Sequence, residues 1–140
     1  MSFGDSLVGL MLEHNIDSNQ LAGKLGVTRK SVDNWKNNRT DLGLSYLMKL
    51  CNYFNCSLEY LCGKTETNVK PKSFTLDNFG SQVRKVMKAR NITTYKLENV
   101  TKFDGKYFNV WDKCSDPKLS TLIELANYFE CSLDELVGLE

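Results

Sequence analysis

Residues Thr28 to Thr40 concentrate the side chains best suited to directed hydrogen bonding: Arg29, Lys30, Asn34, Lys36, Asn37 and Arg39. Four of these are cationic and Asp33 is the lone acid, so the tract carries a net charge of +3. An arginine or lysine can donate to the O6/N7 edge of guanine, and an asparagine can pair with the N6/N7 edge of adenine. The same groups can hold phosphate oxygens. Over the whole chain, 18 basic residues face 17 acidic ones, a formal net charge of +1. Any nucleic-acid footprint must therefore be local.

Other chemistries find no support. There is no nucleophile–base pair, no phosphate-cradling glycine loop and no carboxylate pair in a motif, so neither an enzyme nor a cofactor is expected. The five cysteines, Cys51, Cys56, Cys62, Cys114 and Cys131, are odd in number and form no C-x-x-C pair. That argues against a disulfide framework. The single histidine, His14, lies far from all of them, so no metal site is expected and the cysteines read as reduced, small and buried. His14 ends a helical stretch, where it suits the helix dipole. No apolar run is long enough to span a bilayer, and Met1-Ser2-Phe3-Gly4-Asp5 shows no basic segment leading into an apolar core. A cytoplasmic protein without membrane contact is the expectation.

The elements that must carry the polar tract are helical. Leu7, Leu10 and Met11 recur at helical spacing and predict a first helix near residues 5–14. Asp17 with Gln20 is a capping-box pair for a second helix ending at Gly26, with Leu21, Ala22 and Leu25 inward. Thr28 caps a third helix through about Lys36, which buries Val32 and Trp35 and turns Arg29, Lys30, Asp33, Asn34 and Lys36 outward. Leu44, Leu47, Leu50, Cys51 and Phe54 form a fourth stripe, and Ser57 starts a short fifth helix with Leu58 and Leu61.

The chain then repeats this plan. Asn52 to Leu61 returns as Asn127 to Leu136, while upstream Phe3-Gly4, Met11, Asn15-Ile16, Leu21 and Trp35 return as Phe79-Gly80, Met87, Asn91-Ile92, Leu97 and Trp111. The shift falls from 76 to 75, so one residue is lost between Trp111 and Leu119. The reading is an all-α chain of two tandem five-helix domains, residues 1–63 and 76–140, joined by a linker over 64–75 that contains Pro71. In the second copy Asp104 should cap the third helix, and Ser132 with Glu135 should form a capping box on the fifth. Trp35 and Trp111 read as core by register with Val32 and Phe108. The basic cluster Arg84, Lys85, Lys88 and Arg90 falls on the first helix of copy two and reads as a solvated face, with phosphate contact as the alternative.

The segment Asp17-Ser18-Asn19-Gln20-Leu21-Ala22-Gly23-Lys24-Leu25-Gly26-Val27-Thr28-Arg29-Lys30-Ser31-Val32-Asp33-Asn34-Trp35-Lys36-Asn37 resembles the helix-turn-helix of the Cro-like phage repressors, also called the xenobiotic-response-element family. The resemblance covers copy one and the last two helices of copy two. It implies base contacts by Arg29, Lys30 and Asn34, phosphate contacts by Ser18, Asn37 and Arg39 with Lys36 added, and Thr28 at the start of the reading helix. Copy two departs at the motif. Glu98 replaces Ala22, Lys102 replaces Gly26, and Phe103-Asp104-Gly105 replaces Val27-Thr28-Arg29. Its candidate DNA contacts reduce to Thr94, Lys106 and Asn109, and residues 79–140 are neutral, with nine basic and nine acidic residues.

Two functions remain in play. The first is a sequence-specific transcriptional regulator, a repressor, that reads the major groove of double-stranded DNA with the third helix of copy one. The two tandem motifs would imitate a repressor dimer, or the chain would form a homodimer through copy two. The second is an adaptor or antirepressor that docks on another helix-turn-helix protein through copy two.

Overall fold

The computed structural model describes residues 2–68, 79–103, 105–113 and 116–138. The chain divides into two compact units, Met1–Pro71 and Lys72–Glu140, and each contains five helices among the described residues. The all-α architecture expected from periodicity is therefore the observed one.

In the first unit the helices are α1 (Phe3–Glu13), α2 (Ser18–Leu25), α3 (Arg29–Lys36), α4 (Leu44–Phe54) and α5 (Leu58–Leu61). Helix α1 begins two residues earlier than its apolar spacing predicts. Ser2 accepts from the Asp5 N–H while the Asp5 carboxylate accepts from the Ser2 N–H, which satisfies donors that a bare helix start leaves open. Helix α2 opens on the expected Asp17–Gln20 box, at 2.8 and 2.9 Å. It closes at Gly26, whose φ of +71° any side chain would strain. Thr28 accepts from the Ser31 N–H and starts α3. Leu7, Leu21, Val32, Leu47, Leu50, Leu58 and Leu61 are fully buried, so all five helices share one core. Each such side chain contributes about 1.5–3 kcal/mol.

One contact fixes α3 against α1. A Cβ on Gly4 would overlap the Lys36 carbonyl, coming within 2.8 Å of its carbon. Only glycine lets the start of α1 approach the end of α3 so closely. Asn38, in the left-handed region at φ +57°, then bridges them. Its carboxamide oxygen accepts from the Gly4 N–H at 2.9 Å, and its amide nitrogen donates to Ser2 Oγ at 3.0 Å. At the other end of α1, His14 stands at the C-cap and meets the Phe54 ring edge-on, centroids 5.0 Å apart. Beyond α5, Asn68 accepts from the Ser57 N–H at 3.2 Å, so the packing of this unit reaches at least that residue.

The second unit contains α6 (Phe79–Ala89), α7 (Thr94–Val100), α8 (Gly105–Lys113), α9 (Leu119–Phe129) and α10 (Leu133–Val137). Its core is more aromatic: Phe79, Phe103 and Phe108 surround Trp111 with ring centroids 5.0–5.6 Å away. The turn between α7 and α8 manages without the glycine of the first unit. Thr101 leaves the helix in extended backbone, donates its hydroxyl to the Leu97 carbonyl at 2.7 Å and accepts from the Phe103 N–H at 3.1 Å. Phe103 is thereby driven into the core, fully buried.

Two expectations for this unit are corrected. Ser132 does accept from the Glu135 N–H, at 2.9 Å, but the Glu135 carboxylate does not reach back to close a box. It is held by both terminal nitrogens of the Arg90 guanidinium at 3.1–3.2 Å, a charge-assisted pair. Nor is the basic cluster wholly a solvated face. Arg90 also donates to the Phe129 carbonyl at 2.7 Å, and Arg84 grips Asp112 in a two-bonded pair at 2.9 and 3.0 Å. The Asp104 cap, residues 69–75 with Pro71, and Cys114 lie outside the described residues. Cys51, Cys56 and Cys62 are free and buried, and Cys131 is free and half-buried.

Candidate nucleic-acid interface

Helix α3 presents one apolar and one polar face. Val32 and Trp35 are buried, Trp35 3% exposed, while Arg29, with 63% of its side chain exposed, and Lys30 face solvent and Asn34 is half-buried. Both cations of the first turn stand at the positive end of the helix dipole, and the nearest acid on α3 is Asp33, 3.6 Å from Arg29 Nε. Each such placement costs about 0.3–1 kcal/mol. The first turn of α3 thus carries two exposed cations against the usual preference of the helix dipole.

The remaining residues fall into two groups. Ser18, Asn19, Arg29 and Lys36 meet around a cleft of about 490 Å³, floored by Val8, Met11 and Ile16. There the Lys36 ammonium donates to Ser18 Oγ at 3.1 Å and approaches Asp33 at 4.0 Å. Ser18 itself is buried at the first turn of α2, so its hydroxyl serves to aim Lys36. Asn37 and Arg39 lie outside this cleft, past the end of α3. The Asn37 side chain donates to the Asp33 carbonyl at 2.8 Å, and the Arg39 N–H bonds the Asn34 carbonyl at 2.9 Å, leaving the Arg39 side chain exposed. Thr28 is occupied as the cap of α3 and also meets Ser31 Oγ at 3.0 Å. Sequence reasoning missed Gly4 and Asn38, which hold α3 in place, and Asn19 on the cleft. The recurrence of Phe3-Gly4 as Phe79-Gly80 and an asparagine just past a helix end were the available signals.

A family model described as the Cro/C1-type helix-turn-helix DNA-binding domain matches the chain twice, over residues 7–63 and 82–140. The chain belongs to the Cro/C1-type helix-turn-helix family. It is a DNA-binding regulator, and the match extends through the second copy, including the motif that departs most from the first. No curated protein and no solved structure matches the chain.

The second Cro/C1-type domain turns a different surface outward. Thr94 is exposed at the start of α7, and Lys106 and Asn109 are exposed on α8. Around them stand Tyr95, Val100 and Val110, which are 77%, 62% and 60% exposed. Gly105 occupies the place of Arg29, and a Cβ there would meet nothing, so packing does not require the glycine. Asp112 replaces Lys36, and its hydrogen bond to Arg84 holds its carboxyl below the usual carboxylate range. Where Lys36 meets Ser18 and Asp33 in the first domain, Asp112 meets Arg84 in the second. Among the described residues, no helix is long and apolar enough to cross a membrane, and no three histidine, cysteine or acidic side chains group to hold a metal.

Proposed function

We propose that this protein is a sequence-specific transcriptional repressor of the cytoplasm that inserts α3 of its first domain into the major groove. The carrying observation is the pair Arg29 and Lys30, exposed on the first turn of a helix whose opposite face is locked into the core. Arg29, Lys30 and Asn34 address base edges. Lys36, aimed by Ser18, joins Asn37 and Arg39 on the phosphates. The domains span residues 1–63, with packing that continues to Asn68, and 76–140, and bound promoter DNA is closed to polymerase. Sequence reading belongs to the first domain, and the second adds DNA contact without a sequence preference of its own.

Gel-shift titration separates the two classes of contact. Arg29→Ala should weaken the selected sequence by about 1–3 kcal/mol and relax preference at one base pair. Arg39→Ala should instead weaken all duplexes together and flatten the salt slope by roughly one unit. A folded Arg29→Ala chain with unchanged affinity and preference would refute the assignment.

A second reading has one observation in its favour. The exposed Tyr95, Val100 and Val110 place apolar surface where the first domain has Asn19, Lys24 and Asn34, which suits an adaptor or antirepressor docking through domain two on a protein partner.

A further inference from the structure

Asp33 is the only acid between Thr28 and Thr40, and it sits in the middle of α3. A carboxylate on a face meant for DNA repels phosphate, so its presence calls for a reason. Fold stability does not supply one. The Asp33 side chain is 41% exposed, and its carboxylate lies 3.6 Å from Arg29 Nε and 4.0 Å from Lys36 Nζ. Exposed pairs of this kind add little to stability.

The geometry of the pair is more telling. The carboxylate addresses Nε, the inner nitrogen of the Arg29 guanidinium. Nη1 and Nη2 then form a two-donor edge, the shape that guanine O6 and N7 accept. The same carboxylate sits beside Lys36, whose ammonium is also tied to Ser18. Both cations thus lie within 4.0 Å of one carboxylate. Expelling water at a protein–DNA contact would strengthen these attractions further. The internal repeat agrees. Where the second domain has Gly105 in place of Arg29, it has Asn109 in place of Asp33. The carboxylate is missing from the copy that lacks the guanidinium.

We propose that Asp33 is a specificity-determining positioning residue: it orients Arg29 toward a guanine edge and penalises binding that rests on phosphates alone. This deepens the proposed function and rests on it. The test uses the full chain as wild type, Asp33→Asn, Asp33→Glu, Arg29→Ala and the Asp33→Asn/Arg29→Ala double variant. Each is titrated against the selected duplex, that duplex with the base pair under Arg29 changed, and an unrelated duplex. Asp33→Asn should bind the unrelated duplex about threefold to tenfold more tightly and lose about threefold to tenfold in discrimination at the Arg29 base pair. Asp33→Glu keeps the charge but moves it, so discrimination should fall while unrelated DNA is bound as before. In the Arg29→Ala background, Asp33→Asn should leave discrimination unaltered. Equal tightening on all three duplexes, with wild-type discrimination intact, would overturn the role given to Asp33 and spare the reading of α3. A wild-type chain that prefers no duplex would overturn both.

Discussion

Trp35 and Trp111 occupy equivalent places in the two domains and are each 3% exposed, yet the outer faces of their helices share almost no chemistry. Arg29, Asp33, Asn34 and Lys36 in the first domain stand against Gly105, Asn109, Val110 and Asp112 in the second. The inner positions stay apolar, Val32 against Phe108 and Trp35 against Trp111, because both must pack in a core. At Gly105 packing does not dictate the outer side chain, since a Cβ there would meet nothing. A shared core therefore fixes what each domain is, and the outward face decides what it binds.

Exchanging outer faces should break this contrast most sharply. Giving the first domain the second domain's residues, with Arg29→Gly and Asn34→Val, removes two candidate base contacts at about 1–3 kcal/mol each. Gel shifts should show the loss of specific affinity while circular dichroism stays helical. If specific binding survives, the difference between the two faces is not the functional one.

The next effect concerns how the reading helix is held. Gly4→Ala forces a methyl group against the Lys36 carbonyl, where backbone rather than a pliant side chain must move. A cost of about 1–3 kcal/mol is expected in thermal unfolding of the first domain. Specific DNA affinity should fall with it, because the displaced turn carries Lys36. A stable variant with normal affinity would show that α3 does not depend on this close approach.

A smaller effect separates the domains by their turns. Asn55 and Glu130 both end helices in the left-handed region, at φ +56° and +55°. Asparagine tolerates that conformation and glutamate does so at a cost. Glu130→Asn should stabilise the second domain by about 0.5–1 kcal/mol, measured by denaturant unfolding. No gain would mean that contacts of the Glu130 side chain offset the strain.

The contrast also marks what could be read from the residues alone. The Asp17–Gln20 box, the Gly26 and Asn37 helix ends, the Thr28 and Ser57 caps and the burial of both tryptophans all depend on neighbours within about four residues, where periodicity and capping rules operate. The bridge from Asn38 to Gly4, and the pairs Arg84–Asp112 and Arg90–Glu135, join residues 28 to 45 positions apart. No local pattern announces such contacts. That is why a basic cluster on α6 read as solvated when half of it is structural. The α7–α8 turn was legible only as a missing glycine, because its replacement rests on the conformation and hydroxyl of Thr101. On the candidate interface, charge and spacing singled out α3, whose Arg29 and Lys30 are exposed. They did not show that the Ser18 hydroxyl is occupied by Lys36.

Selecting bound sequences from random duplex DNA, with three full-length proteins side by side, bears most directly on the division of labour between the domains. Wild type and Lys106→Ala/Asn109→Ala should enrich the same sequence, and Arg29→Ala/Asn34→Ala should lose it. Enrichment that survives in Arg29→Ala/Asn34→Ala but disappears in Lys106→Ala/Asn109→Ala would contradict the assignment, and would place sequence reading in the second domain.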